Sequence, residues 1–585
     1  MTAAVATGAD GDLEGDPPHP AVAGAGDGDG APGRTRHRAV RAACDVLAVL
    51  PFVVAAVIES AKGWEPTSDN AIITTRAWDA LGPVGPLVGQ TSSASGARHP
   101  VYDLGPLLYW FLTLPVHLDH RQGSLWGAAA LCAAAALLTV EAAWAARGWV
   151  AAAVATAAVL VVVVTQTSVA VDPVWNPDIG ALWCLATVAC AWAVALGRFR
   201  WFPVLVLAGS FAAQAHLMFA AIGLSAVVVA PVVGIVRRRG IAGRWWLPAG
   251  AAVAIACWTA PVVQQLTGSP GNLSSVLDWQ AGASPLGYRF GLQALGTTIG
   301  AHPIWLTRPS GNAFAVYGDM DYHPAWMGVA ALVGLAAVVL AAALARRFDL
   351  ATLAGLTLLF AGETVVTIAR IPYGSLLTLV YLCLVVWVVG LTIAAVAGWS
   401  LAVVVTAVVR SLRRRDPVPP GPGGAEPSRR WPATLVGALL AGLAAVAVAT
   451  TVVDTSGDTM QPGGWPAVDQ VDRVAPAIES LVPRGPVVVS MDRNGGIVAY
   501  DVYMGLVWRL RSDGWTPEID PAYAPEVDPT ATITSGHPVV DLTTDSAGAV
   551  VAVHLRPGRP TRPTRRGRPA AGPSARRLVP DPTTP

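Results

Sequence analysis

Long apolar runs separated by short polar stretches fill most of residues 43–453, and the lengths of the runs match a bilayer. About 17 to 20 apolar residues at 1.5 Å each cross roughly 30 Å of hydrocarbon. Ala128 to Ala146, Ala151 to Thr167 and Leu435 to Val453 are nearly unbroken runs of that kind. The pattern predicts about eleven spans, at residues 43–60, 126–146, 149–166, 180–197, 202–215, 217–235, 246–264, 326–345, 350–368, 374–397 and 432–453. The stretch 202–235 reads as two short helices meeting near Ala215 and His216. The run from Ser375 to Val409 reads as one span continued by an interfacial helix.

After Asp454 the pattern changes. Pro486 to Met491 and Ala547 to Leu555 are β-branched and small apolar runs bounded by Pro and Gly, which predict short strands, and Val498 to Leu510 predicts a helix. The expected architecture is an α-helical polytopic membrane protein with a small C-terminal α/β domain. Its parts are a disordered tail (1–41), a transmembrane domain (42–453) with polar loops at 61–125 and 267–325, the small domain (454–556), and a disordered Pro, Arg and Thr-rich tail (557–585).

Composition narrows the class. The chain is 53% hydrophobic and 13% charged, against about a quarter charged in soluble domains, which excludes a single water-soluble domain. A net charge of +1 gives no electrostatic case for nucleic acid. The six cysteines lie in or beside apolar runs without a CxxC pair, so they read as small core residues and not as metal ligands. The first 33 residues lack a basic start before an apolar core, so the first span is expected to serve as an uncleaved signal.

Orientation follows from arginine, because positive residues flanking spans are retained in the cytoplasm. Arg34, Arg36, Arg38 and Arg41, then Arg147, then Arg198 and Arg200, then Arg237 to Arg239 with Arg244, then Arg346 and Arg347, and finally Arg410 with Arg413 to Arg415 fall in alternate loops. The intervening loops at 167–180 and 267–325 hold only Arg289 and Arg308. The chain is thereby expected in the cytoplasmic membrane with its N-terminus inside and, for an odd number of spans, its C-terminus outside.

The first outer loop carries candidate chemistry. Asp69, ahead of an apolar helix and just outside the membrane, is placed to be a partly desolvated base for a hydroxyl. Ser68, Asp69 and Asn70 are equally good helix caps, so capping stands as the alternative. Asp103 and Glu59 are second choices for the base. Arg370, at the outer end of a span before Pro372-Tyr373, is a cation suited to a phosphate leaving group, or else a headgroup anchor. His216, between two short helices, is either a phosphate contact or a satisfied structural histidine. Trp175-Asn176-Pro177 is either a turn with an interfacial anchor or part of a pocket, and the flanking Asp172 and Asp178 are expected to be solvated. Trp64, Trp78, Trp279 and Trp305 suit sugar stacking or interface anchoring. No cofactor is implied. A divalent metal would require folding to gather Asp278, Asp319, Asp321, His302 and His323.

Taken in order, Ser68-Asp69-Asn70-Ala71, His99-Pro100, Gly105-Pro106-Leu107-Leu108-Tyr109, Trp175-Asn176-Pro177, Gln214-Ala215-His216 and Leu266 to Leu273 make the chain resemble the polytopic GT-C glycosyltransferases. Within these it is similar to the bacterial protein-mannosyltransferase-like and aminoarabinose-transferase-like members. The resemblance implies a sugar donor on polyprenyl phosphate, a glycan, lipid or protein acceptor bound from the outer face, and inversion at the anomeric carbon. It also implies an acidic base in the first outer loop, a position that Asp69 matches. On the same basis His216 is expected at the donor phosphate and His99, Tyr109, Trp175, Asn176, Gln214 and Asn272 at the substrates; Arg370, with Tyr373 beside it, is expected at the phosphate on the charge argument. The segment from His99 to Gly105 departs from the family's more usual direct His-Pro-Gly-Pro. The competing class is a transporter or a flippase of lipid-linked glycans, which calls for ionisable residues inside the bundle and pseudo-symmetric spans.

Overall fold

The computed structural model describes residues 31–82, 85–92, 100–166, 168–238, 243, 245–282, 284–308, 323–371, 380–415, 431–456, 464–492, 496–520 and 536–558. The expected tails fall mainly outside this range, as do His99 and Tyr373. In chain order the helices before the small domain are α1 (Ala31–Ala61), α2 (Ser68–Asp79), α3 (Leu107–Leu118), α4 (Gly123–Arg147), α5 (Trp149–Thr165), α6 (Ser168–Val171), α7 (Asn176–Ala195), α8 (Phe202–Ala215), α9 (Ala220–Arg238) and α10 (Trp246–Thr267). They continue as α11 (Asn272–Gly282), α12 (Gly287–Gly296), α13 (Ala325–Leu344), α14 (Phe348–Ala369), α15 (Leu384–Arg415) and α16 (Trp431–Ser456).

Each predicted span has a helix at its place. Among the described residues 9 helices are long and apolar enough to cross a membrane, so this is a multi-pass membrane protein. Trp149–Thr165 and Phe202–Ala215 are apolar but shorter. Helix α7 is the centre of the bundle: it is apolar all round, as a helix enclosed by others must be, and 100% of its apolar window is buried. Helices α4, α8, α9, α14 and α15 pack around it. The hairpin of α8 and α9 turns at His216 as the pattern predicts. The two helices close tightly because a Cβ on Gly209 would lie 2.6 Å from the Gly223 carbonyl oxygen.

Two elements differ from expectation. The run toward Val409 does not break into a span and an interfacial helix. Helix α15 is one continuous rod through Arg415, because its sequence contains no proline and exposed Leu401, Val404, Val405 and Val408 carry the apolar surface onward. Within the first polar loop, α3 is an additional apolar helix; at about 18 Å it is too short to cross.

The C-terminal domain holds α17 (Gly464–Leu481), β1 (Pro486–Met491), α18 (Gly496–Ser512), β2 (Thr516–Ile519), β3 (Val539–Thr544) and β4 (Val550–Arg556). The sheet order is β2-β1-β3-β4, with β1 parallel to both neighbours and β3 antiparallel to β4. Central β1 is the almost wholly apolar strand expected where both faces are covered: Val487, Val488, Val489 and Met491 are all buried. Strands β2 and β3 and helix α17 were not legible in the pattern. On α18, Val502, Tyr503, Leu506 and Leu510 are fully buried, while another face of the same helix lies along α2.

Candidate active site at the junction of the bundle and the C-terminal domain

The site begins at the start of α2. Thr67 is the N-cap and makes no side-chain capping bond, and Asp69 lies inside the first turn. Ser68, between them, has φ of 51°, a left-handed conformation that a non-glycine residue adopts at a cost of about 1 kcal/mol or more and that is concentrated at functional sites. Trp175 Nε1 donates to Asp69 Oδ2 at 3.0 Å, the Tyr500 hydroxyl donates to its Oδ1 at 3.4 Å, and Gln90 supplies a further bond. The Asp69 carboxylate is therefore engaged by side chains of other elements, and the N-cap position of α2 belongs to Thr67. Burial pushes the carboxyl up from its ordinary value, and these three donors pull it partly back.

Asn70 turns the other way and donates to Asp172 Oδ1 at 2.5 Å. Asp172 and Asp178 are not solvated as expected. They are 2% and 1% exposed, because α6 and the start of α7 are folded into the bundle and do not form a surface turn. Burial, reinforced by the charge of Asp69, pushes Asp172 up to about 7 despite the bond from Asn70.

A second carboxylate, Asp103, ties the loop to the bundle. Its Oδ1 accepts from the Leu217 backbone N–H at 2.9 Å and its Oδ2 from Asn176 Nδ2 at 2.9 Å; Asn176 also donates to the Ala215 carbonyl at 2.8 Å. Burial holds Asp103 well above the carboxylate range, against the pull of these donors. Asn272 completes the tie by accepting from Tyr102 N at 3.0 Å and donating to Tyr102 O at 2.9 Å, as a strand partner would. Residues 89–92 pair with 101–103 in a short antiparallel ladder, which places Gln90 beside Asp69. Gly105 of the Gly-Pro-Leu-Leu-Tyr segment has a steric reason: a Cβ there would fall 2.1 Å from Gln214 Oε1. Gln214 itself donates to the Cys257 carbonyl at 2.8 Å.

His216 belongs to the same assembly. Its Nδ1 accepts from Met218 N at 3.3 Å, which leaves the neutral ring's proton on Nε2 as a donor. Its ring meets Tyr381 edge-on at 5.6 Å, and Tyr381 meets Trp175 at 5.0 Å. A continuous path of side chains thus joins His216 to Asp69. Tyr109 is buried in α3, and Arg76 is a buried cation on the same helix as Asp69. Arg370 stands exposed at the C-terminal end of α14. Trp64 and Trp78 are packing residues: Trp64 is buried and Trp78 stacks on His117 at 4.3 Å. Among the described residues no three His, Cys, Asp or Glu side chains are grouped to hold a metal ion; Asp319 and Asp321 lie outside them.

The structure therefore gathers Asp69, Asp103, Trp175, Asn176, Gln214, His216 and Asn272 at one end of the bundle. It adds Gln90, Tyr381 and Tyr500, which no local pattern marked. No family model matches the chain, and no curated protein matches it. Among solved structures it is similar to ArnT from Cupriavidus metallidurans bound to undecaprenyl phosphate, at 15% identity and TM-score 0.45 over 85% of this chain and 92% of that one. It is also similar to the Archaeoglobus fulgidus oligosaccharyltransferase in the apo form, at 12% identity and TM-score 0.39 over 83% and 65% of the two chains. The archaeal oligosaccharyltransferase AglB from Archaeoglobus fulgidus in complex with an inhibitory peptide and a dolichol-phosphate has a TM-score of 0.33 at 12% identity, over 85% and 69% of the two chains. These are likenesses of overall shape. The chemistry of this chain rests on its own residues.

Proposed function

We propose that this protein is a membrane glycosyltransferase that moves one sugar from a polyprenyl-phosphate carrier to a cell-envelope glycan, lipid or protein outside the cytoplasmic membrane, with inversion and with Asp69 as general base. The observation that carries the reading is the Asp69 carboxylate, raised by burial and held by Trp175 and Tyr500 where α2 meets the bundle. An acceptor hydroxyl has a pKa far above neutrality, so a carboxylate within about 3 Å must take its proton as the new bond forms. A carboxylate offers about four acceptor positions, and three donors leave one for that proton. The leaving phosphate gains charge; Nε2 of His216 and the Arg370 guanidinium are the donors this reading assigns to it. Asp103 then positions the loop, since its two oxygens tie it to the Leu217 backbone at the α8–α9 turn and to Asn176 at the start of α7.

The test is transfer by the purified, full-length protein from a panel of synthetic polyprenyl-phosphate sugars, with product stereochemistry read by NMR. Failure of the whole panel together with passage of a lipid-linked glycan across vesicles would replace the enzyme by the flippase reading. Arg370→Ala is expected to raise the donor KM about tenfold or more, as loss of hydrogen bonds to a charged group does, and Arg370→Lys to recover part of it. An unchanged donor KM would make Arg370 a headgroup anchor.

Orientation has its own check. Ser480, exposed on α17, and Ser411, exposed on α15, lie on opposite sides if arginine placement holds. Cysteine at Ser480 should react with an impermeant thiol reagent in intact cells, and cysteine at Ser411 should not. The reverse labelling would put the site on the cytoplasmic side.

A further inference from the structure

The contact between α18 and α2 is held at several points. Arg511 forms an ion pair with Asp79 at one end, and Tyr500 reaches Asp69 at the other. At 1.5 Å per residue Asp69 and Asp79 are about 15 Å apart along α2 and Tyr500 and Arg511 about 16.5 Å apart along α18, so the contact extends over much of both helices. Between the ends, Trp508 meets Trp78 edge-on at 6.1 Å. Arg509 binds both oxygens of Glu65, just ahead of α2, at 2.7 and 2.9 Å. Gly505 permits the approach, because a Cβ there would stand 2.7 Å from Val471 Cγ2 and 3.0 Å from Thr67 Cγ2. Rotation or sliding of α18 would break the Arg509 and Arg511 pairs together, so the position of the Tyr500 hydroxyl is set by contacts remote from it.

We infer that Tyr500, presented by the C-terminal domain, is a positioning residue for the Asp69 carboxylate, so that the reacting site is complete only with that domain seated on α2. The inference rests on the reading of Asp69 as the base. Trp175 and Tyr500 hold opposite oxygens of one carboxylate and so fix its plane, which decides where the remaining lone pair points. A separation of 3.4 Å is long for this bond, and bonds of this kind commonly tighten in the Michaelis complex. An O–H donor also favours the ionised form that a base requires.

Tyr500→Phe keeps the ring and removes only the donor. It is expected to lower kcat about tenfold with little change in KM, and to move the acid limb of the pH profile upward, because Asp69 loses a bond that stabilises its ionised form. A second readout does not depend on activity: carbodiimide labelling of Asp69, followed by mass spectrometry across pH, should shift its midpoint upward in Tyr500→Phe. Arg511→Asp should reproduce both effects, and Arg511→Asp combined with Asp79→Arg should restore them, which a merely local role of Tyr500 would not produce. An unmoved labelling midpoint in Tyr500→Phe overturns the inference. A shifted midpoint together with undiminished transfer by Asp69→Asn leaves the Tyr500 contact standing and removes Asp69 as the base, so the two failures are distinct.

Discussion

Asp69→Asn is expected to lower sugar transfer by about 10²- to 10⁴-fold, the usual contribution of a general base, while leaving the protein folded. Asparagine has the size of aspartate, its carbonyl oxygen still accepts from Trp175 Nε1, and its amide can donate to the Tyr500 oxygen. What it lacks is a basic oxygen. Since Thr67 and not Asp69 occupies the N-cap position, little helix stability is at stake. The measurement is initial transfer rate at saturating donor, paired with thermal unfolding in detergent. Undiminished transfer by a variant that melts like the wild type would remove Asp69 from the mechanism and turn attention to Asp103.

Asp103→Asn is expected to fail in a different way. Both Asp103 oxygens face donors, Leu217 N–H and Asn176 Nδ2. An amide has one acceptor oxygen, so its nitrogen would meet an N–H. A buried donor left unsatisfied costs about 1 to 3 kcal/mol. That cost falls where the loop, the start of α7 and the turn at His216 are tied together. The expected result is a lower melting temperature with loss of transfer following loss of folded protein. A variant that melts like the wild type yet is inactive would show that Asp103 takes part in the chemistry. Asp69 and Asp103 are thus separable by the pair of measurements, folded and inactive against destabilised, even though burial raises both carboxyls.

Much of the bundle was legible because burial in a bilayer is written locally. A helix that must cross about 30 Å of hydrocarbon shows its length and apolarity in one window, and so the helices appeared at their expected places, including the turn at His216. Strand β1, apolar on both faces, was legible for the same reason. The short polar motifs were legible as candidates, and folding brought Asp69, Asp103, Trp175, Asn176, Gln214, His216 and Asn272 together. What each does was not legible, since a carboxylate's role depends on which donors reach it. Asp69 and Asp103 stand in the same loop, yet one has its oxygens held by Trp175 and Tyr500 and the other is closed by the backbone of the α8–α9 turn. The burial of Asp172 and Asp178 likewise follows from the packing of α7 and not from their polar neighbours. Tyr500 is the extreme case: it lies 431 positions from Asp69, on a helix whose own pattern speaks only of packing in its domain. Apolar length and period belong to the sequence alone; the pairing of distant polar atoms is decided by tertiary structure, because it depends on the register of helices that no local window contains.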